Sequence, residues 1–118
     1  TQLKPFDSYF EEEFYNLLYT KLKHGYRIQN QVESCSFKID FVISNVNTGK
    51  RIAVECDGPC HFKDEIDEEY GIYIESDEER QHVLEAAGWK FYRIKYSDWV
   101  DEKFNRDTIV SAIIDLLK

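Results

Sequence analysis

The spacing of hydrophobic positions changes along the chain, and each spacing predicts one type of element. Helical spacing predicts three helices, over residues 8–25, 76–88 and 107–118. Ser8 is the expected cap of the first. The second has Ser76 as its expected cap, Glu79 at the capping-box position and Gly88 where the helix should end. Strand-like runs occupy four segments: 26–32, 37–43, 51–57 and 89–95. The pattern therefore predicts one α/β domain over residues 1–118, with a mixed four-stranded sheet flanked by helices in the order α-β-β-β-α-β-α.

Three carboxylates lie on the strands that flank the turn "SNVNTGK". A hairpin centred between Asn47 and Thr48 pairs residues whose numbers sum to 95, so Asp40 lies opposite Glu55. Asp57 shares the face of Glu55 because side chains alternate along a strand. The opposite face is then apolar and comprises Ile39, Phe41, Ile43, Ile52 and Val54. Carboxylates this close need raised pKa values or a compensating cation.

Magnesium suits such a site, because it prefers hard oxygen ligands and keeps several of its waters. A bound metal could activate a water and stabilise charge on a phosphate. The alternative is a surface patch whose carboxylate face is open to water, with Lys50 or Arg51 neutralising part of the charge. The spacing alone leaves both interpretations open.

The net charge of −8 is concentrated in one segment. Nine acidic residues and no Lys or Arg lie between Asp64 and Glu79, and the rest of the chain has 14 acids against 15 bases. Such a run usually forms a solvated face, here a loop and the start of a helix. The overall acidity therefore does not exclude nucleic acid as a partner.

Other features of the composition bear on whether the protein is a membrane, secreted or zinc-binding protein. No membrane span or signal peptide is present, and three cysteines suit a reducing, cytoplasmic compartment better than a disulfide framework. Because the chain lacks Met and begins at Thr1, we expect a segment of a longer polypeptide. Cys56, Cys60 and His61, with Cys35, could form a zinc site, but the second Cys pair of structural zinc sites is missing.

Six blocks of sequence occur in an order that resembles a known family. They are "SYFEEEFYNLL", "YRIQNQV", "FKIDFVI", "IAVECDGPCH", "DEERQHVLEAAGW" and "YRIKYSDWV". Together they resemble the very-short-patch-repair-like endonuclease domain of the PD-(D/E)XK nuclease superfamily, often found at the end of superfamily 1 helicase-like proteins. The resemblance implies a restriction-endonuclease-like core and a Mg²⁺-dependent DNA endonuclease, in which Mn²⁺ may substitute. The rival is a weakly active or inactive DNA-binding module of a larger helicase-like polypeptide.

The resemblance also assigns roles to individual residues. Asp40 and Glu55 match the metal-binding carboxylates, and the backbone carbonyl of Cys56 is a third metal ligand in the superfamily. Glu11 matches the acidic residue of the first helix, although Ser-x-x-Glu is also the signature of a capping box with Ser8.

The superfamily lysine is replaced by Asp57. Arg80 is a substitute that could hold a phosphate oxygen, although it could equally pair with Asp77 or Glu55. His61 could act as an acid or base, or it could be a plain surface residue. DNA binding is expected to rest on bases outside the acidic segment: Lys38, Lys63, Arg80, Arg93 and Lys95.

Overall fold

The computed structural model describes residues 5–118 and contains one four-stranded sheet. The strands are β1 (Tyr26–Ser34), β2 (Phe37–Asn45), β3 (Arg51–Asp57) and β4 (Phe91–Lys95). The helices are α1 (Tyr9–Lys21), α2 (Glu65–Tyr70), α3 (Glu75–Ala86), α4 (Tyr96–Trp99) and α5 (Asp107–Leu116), with a 3-10 turn at Pro59–His61. Helices α2 and α4 and the 3-10 turn are additions to the predicted order. Within residues 5–118, no helix has the length and apolar character that a membrane crossing requires.

The sheet is mixed, as the pattern predicts. Its strand order is β1-β2-β3-β4, with antiparallel pairing of the first three strands and parallel pairing of β3 with β4. The parallel step needs a crossover, which α2 and α3 provide. The β2–β3 ladder pairs Phe41 with Val54 and Ile43 with Ile52, so the predicted register is confirmed.

Helices cover both faces of the sheet. On one face α1 and α5 pack against β2, β3 and β4 around Phe14, Phe41 and Ile113, all fully buried. On the other face α3 contributes Leu84 to a smaller cluster with Val42, Ala53 and Trp89. Because α3 lies on the side of Ala53, the carboxylate face is not an open surface patch: Glu55 is 3% exposed and Asp57 is fully buried.

The prediction that Ile39 shares a face with Phe41 and Ile43 is wrong. Ile39 belongs to the cluster under α3, whereas Phe41 and Ile43 belong to the cluster under α1 and α5. The side chains of β1 and β2 exchange faces of the sheet at the level of Gln31. This residue has a positive φ of 50°, and the β1–β2 ladder is interrupted there, between the pairs Asn30–Phe41 and Val32–Ile39. A residue with left-handed backbone breaks the two-residue alternation on which the prediction rests.

The first residue of α1 is set by a local cap, whereas α3 begins where its N-terminal end contacts another element. Ser8 caps α1 as predicted, and its hydroxyl accepts from the Glu11 N–H at 3.3 Å. The predicted Ser76 cap is wrong, because α3 begins two residues earlier with Ile74 as its cap residue. The Ile74 N–H donates to the His61 carbonyl at 3.0 Å, so a contact with the 3-10 turn sets where α3 begins.

Candidate active site

Glu11 lies in the first turn of α1 and turns inward from it. Its side chain is buried, and its two oxygens accept from different donors: the Gln31 amide at 2.8 Å and the Ser8 hydroxyl at 3.3 Å. Burial, with repulsion from Asp7, raises the pKa of Glu11 to about 7. The Ser8 cap and an inward-facing Glu11 therefore exist together, so the capping interpretation does not exclude a role in the site.

Asp40 and Glu55 meet where the β2–β3 ladder ends. Asp40 Oδ2 accepts from the Cys56 N–H at 2.9 Å, and Glu55 Oε2 accepts from the Asp40 N–H at 3.4 Å. Burial, followed by the charge of Glu55 and a hydrogen bond between the two side chains, raises the pKa of Asp40 well above its ordinary value. Burial and the neighbouring charge of Glu55 therefore both favour the protonated form of Asp40.

Arg80 reaches this pair from α3. One guanidinium nitrogen, Nη2, donates both to Glu55 Oε1 and to the Lys38 backbone carbonyl. Of the two ion pairs that the sequence left open for Arg80, the structure forms the one with Glu55. Arg80 also lines the cleft that contains both carboxylates.

Asp57, at the position of the superfamily lysine, lies behind these residues in a buried polar network. Both its oxygens accept from Arg93 Nη1 at 3.0 Å, and Oδ2 also accepts from the Tyr73 hydroxyl at 2.7 Å. Burial alone would lower the pKa of Arg93, but the charge of Asp57, its hydrogen bonds to the guanidinium and the nearby charges of Glu55 and Tyr73 together raise that pKa. Burial, together with the hydrogen bond to Asp57, raises the pKa of Tyr73. Asp57 is thus fully neutralised by its neighbours.

His61 lies in the 3-10 turn between this network and the cleft. Its Nδ1 is 2.9 Å from Asp77 Oδ2 and 3.9 Å from Asp57 Oδ1. The side chain keeps 29% of its surface exposed. A carboxylate on Nδ1 fixes the orientation of the ring and leaves the other nitrogen for chemistry. His61 is therefore held in place, unlike a plain surface histidine.

These elements enclose a cleft of about 560 Å³. It is lined by Glu11, Asp40, Glu55, Cys56, His61 and Arg80, together with residues from the start of α1 and the 3-10 turn. Five of the six predicted catalytic residues and all three predicted metal ligands therefore meet in one place. Asp57 supports the cleft from beneath.

Comparison with known proteins identifies a family. The family model REase_MTES_1575, of a restriction endonuclease-like domain, matches residues 10–115. The chain belongs to this family. Neither the curated proteins nor the solved structures contain a match to the chain.

The donor set of the restriction endonuclease-like domain fits a hard divalent cation better than zinc. Asp40 and Glu55 present carboxylate oxygens whose mutual repulsion a cation would relieve. Burial raises the pKa of the Cys56 thiol, which stays neutral, while Cys35 and Cys60 are exposed. Within residues 5–118, no three His, Cys, Asp or Glu side chains are grouped to hold a metal, so a metal here would rely on the two carboxylates, a carbonyl and water.

Three residues of the site were missed by sequence reasoning: Gln31, Tyr73 and Arg93 in its role as the Asp57 partner. The β1–β2 register places Gln31 opposite Asp40, which would have singled it out. Arg93 pairs with Glu55 in the parallel ladder, but the sequence does not specify that register. Tyr73 lies between α2 and α3 and carries no sequence signal.

Of the five bases expected to bind DNA, Arg80 pairs with Glu55 in the cleft, and the other four divide into two groups. Lys38 and Lys63 are exposed, and Lys38 lines the cleft. Arg93 and Lys95 have internal partners: Arg93 holds Asp57, and Lys95 donates to the backbone carbonyls of Glu68 and Glu69 at 3.1 and 3.2 Å. Lys38 is therefore the exposed base of this set that lines the cleft.

Proposed function

We propose that this domain is a divalent-metal-dependent DNA endonuclease of PD-(D/E)XK type that hydrolyses phosphodiester bonds. The observation that carries the proposal is the convergence of Asp40 and Glu55, with Glu11, His61 and Arg80 around them, in one cleft. A pair of repelling carboxylates, with Glu55 buried and Asp40 half-buried, is costly to maintain, which is characteristic of a functional site.

The metal site consists of Asp40, Glu55 and the Cys56 carbonyl, and Mg²⁺ is the cofactor, with Mn²⁺ as a substitute. When bound, the metal supplies an activated water and stabilises charge on the phosphate. A bound cation would favour the ionised forms of both carboxylates, because its charge opposes the burial and repulsion that raise the pKa of Asp40.

Arg80 takes over the charge of the missing lysine. It lies on Glu55 and lines the cleft, so its planar guanidinium is within reach of both a carboxylate and an incoming phosphate. Such a fork binds phosphate oxygens well. His61, fixed by Asp77, donates or accepts a proton at the cleft, and Asp57 positions Arg93 and the ring of His61.

The parent protein is proposed to be a larger, cytoplasmic, helicase-like polypeptide with a very-short-patch-repair-like domain. The accessory-module alternative has one supporting observation: Asp57 stands in place of the lysine and is itself neutralised by Arg93. In that case the domain binds DNA without cleaving it.

A nicking assay separates the two proposals. Supercoiled plasmid and branched or mismatched duplexes are incubated with the domain and Mg²⁺ or Mn²⁺, with chelator as the blank. We expect nicking by wild type and none by Glu55→Gln, because turnover depends on the metal-bound carboxylate. Glu69→Gln, on the exposed surface of α2, is the matched control and should retain full activity. DNA binding without nicking, under either metal, would favour the accessory module.

A further inference from the structure

Gln31 is held in a backbone conformation that a glutamine seldom adopts. Its φ is 50°, it lies inside strand β1, and its side chain is buried. Non-glycine residues with positive φ are uncommon, and such strain persists only where the surrounding structure holds it. Strained residues of this kind cluster at functional sites.

The strained residue lies directly across the ladder from a metal-site carboxylate. The β1–β2 register pairs Asn30 with Phe41 and Val32 with Ile39, which places Gln31 opposite Asp40. Both strands change faces at this position: Ile28 packs under α1 and α5, while Val32 packs under α3. The backbone of Gln31 therefore determines where the Asp40 side chain leaves the sheet.

The side chain of Gln31 acts on a second carboxylate of the same site. Its Nε2 donates to Glu11 Oε1 at 2.8 Å, while Ser8 donates to Glu11 Oε2 at 3.3 Å. Because one donor comes from β1 and the other from the α1 cap, the carboxylate is fixed from two elements. Loss of the amide would leave Glu11 with only the longer contact to Ser8.

We infer that Gln31 is a positioning residue of the site: its amide holds Glu11 in the cleft, and its left-handed backbone sets the direction of Asp40. The inference rests on the proposed nuclease function for its catalytic consequence, but the contact with Glu11 can be tested without turnover. Gln31 itself does not line the cleft, so it acts through the two carboxylates.

Two variants remove the amide contact to Glu11 while they keep the left-handed backbone. Gln31→Gly keeps a positive φ without strain and removes the amide. Gln31→Asn tolerates positive φ, but its amide is one methylene too short to reach Glu11. We expect both to fold, with KM for DNA within about twofold of wild type and kcat lowered about 10- to 100-fold, as for other supporting hydrogen bonds. Ser36→Gly, at another positive φ (66°) in the exposed turn, should leave kcat unchanged. Full kcat in Gln31→Gly would overturn the inference.

The second readout is the side-chain amide resonance of Gln31 in an NMR spectrum of ¹⁵N-labelled protein. A hydrogen bond to a carboxylate moves the amide protons downfield, and we expect Glu11→Ala to remove that shift while the backbone resonances of β1 stay in place. An unchanged Gln31 amide in Glu11→Ala would refute the positioning role. If wild type never cleaves DNA, the proposed function fails, and the amide resonances still decide whether Gln31 holds Glu11.

Discussion

Removal of the Asp57 carboxylate should destabilise the domain strongly, because it would leave a buried guanidinium unpaired. Asp57 is fully buried, and the Arg93 side chain is only 12% exposed. Breaking a buried ion pair by removing one partner typically costs about 3–5 kcal/mol. Arg93 would keep its contact to Gln81 at 2.6 Å and its place over the Tyr73 ring. We therefore expect Asp57→Ala to lower the free energy of unfolding by about 3 kcal/mol, the low end of that range. For a domain of this size, this loss corresponds to a fall in Tm of about 12 °C.

Urea denaturation at neutral pH, with the m-value as a check on two-state behaviour, measures this loss. Asp98→Ala is the matched control: it removes an exposed acid whose partner, Lys95, is 3.9 Å away and keeps its bonds to the α2 carbonyls, so it should cost less than about 0.5 kcal/mol. In a double-mutant cycle, Asp57→Ala should cost much less when Arg93 is already Ala. A loss below about 1 kcal/mol for Asp57→Ala, or full additivity with Arg93→Ala, would refute the reasoning. An unpaired catalytic carboxylate would behave in that way, since its removal relieves repulsion.

Three further outcomes are expected. Burial raises the pKa of Glu11 from 4.5 to about 7, so the protonated side chain stabilises the folded state below pH 4.5, and this stabilisation is lost as the pH rises towards 7. The Tm of wild type should therefore fall across this pH window, and Glu11→Gln should make the fall smaller. Mg²⁺ or Mn²⁺ should raise the Tm, by the equivalent of about 2.7 kcal/mol of unfolding free energy when the metal concentration is a hundred times its Kd, and Asp40→Asn should abolish that gain. If wild type and Asp40→Asn melt identically with saturating Mn²⁺, the metal site is excluded. Lys38→Ala should weaken DNA binding and lower the salt slope by about 1, as expected for one lost phosphate contact, whereas Lys118→Ala should not.

The sequence predicted the hairpin at the centre of the site because two independent patterns agreed there. The apolar alternation of β2 and β3 and the turn between them allow only one register that buries the apolar set, and that register places Asp40 beside Glu55. Ser8 was identified as the cap of α1 because a cap is a local feature, set by residues three apart. Glu11 was assigned to the site through the resemblance, as the acidic residue of the first helix.

Features that depend on distant contacts could not be predicted in the same way. The displacement of Ile39 to the other face accompanies the interruption of the β1–β2 ladder at Gln31, and a glutamine at that position gives no signal of a positive φ. The start of α3 at Glu75 depends on a hydrogen bond from Ile74 to the 3-10 turn. The pairing of Asp57 with Arg93 depends on the parallel register of β3 and β4. More than 30 residues of crossover separate these two strands, so the sequence does not specify that register.

The most direct test of the central claim measures DNA binding and single-turnover cleavage on the same duplex for wild type and Glu55→Gln. With Mg²⁺ present and the protein in excess, wild type should cleave the bound strand. Glu55→Gln should bind the duplex as tightly as wild type or more tightly, since a charge that repels phosphate is gone, and should leave it intact. Cleavage by Glu55→Gln at the wild-type rate would contradict the account, because Glu55 would then be no part of the chemistry.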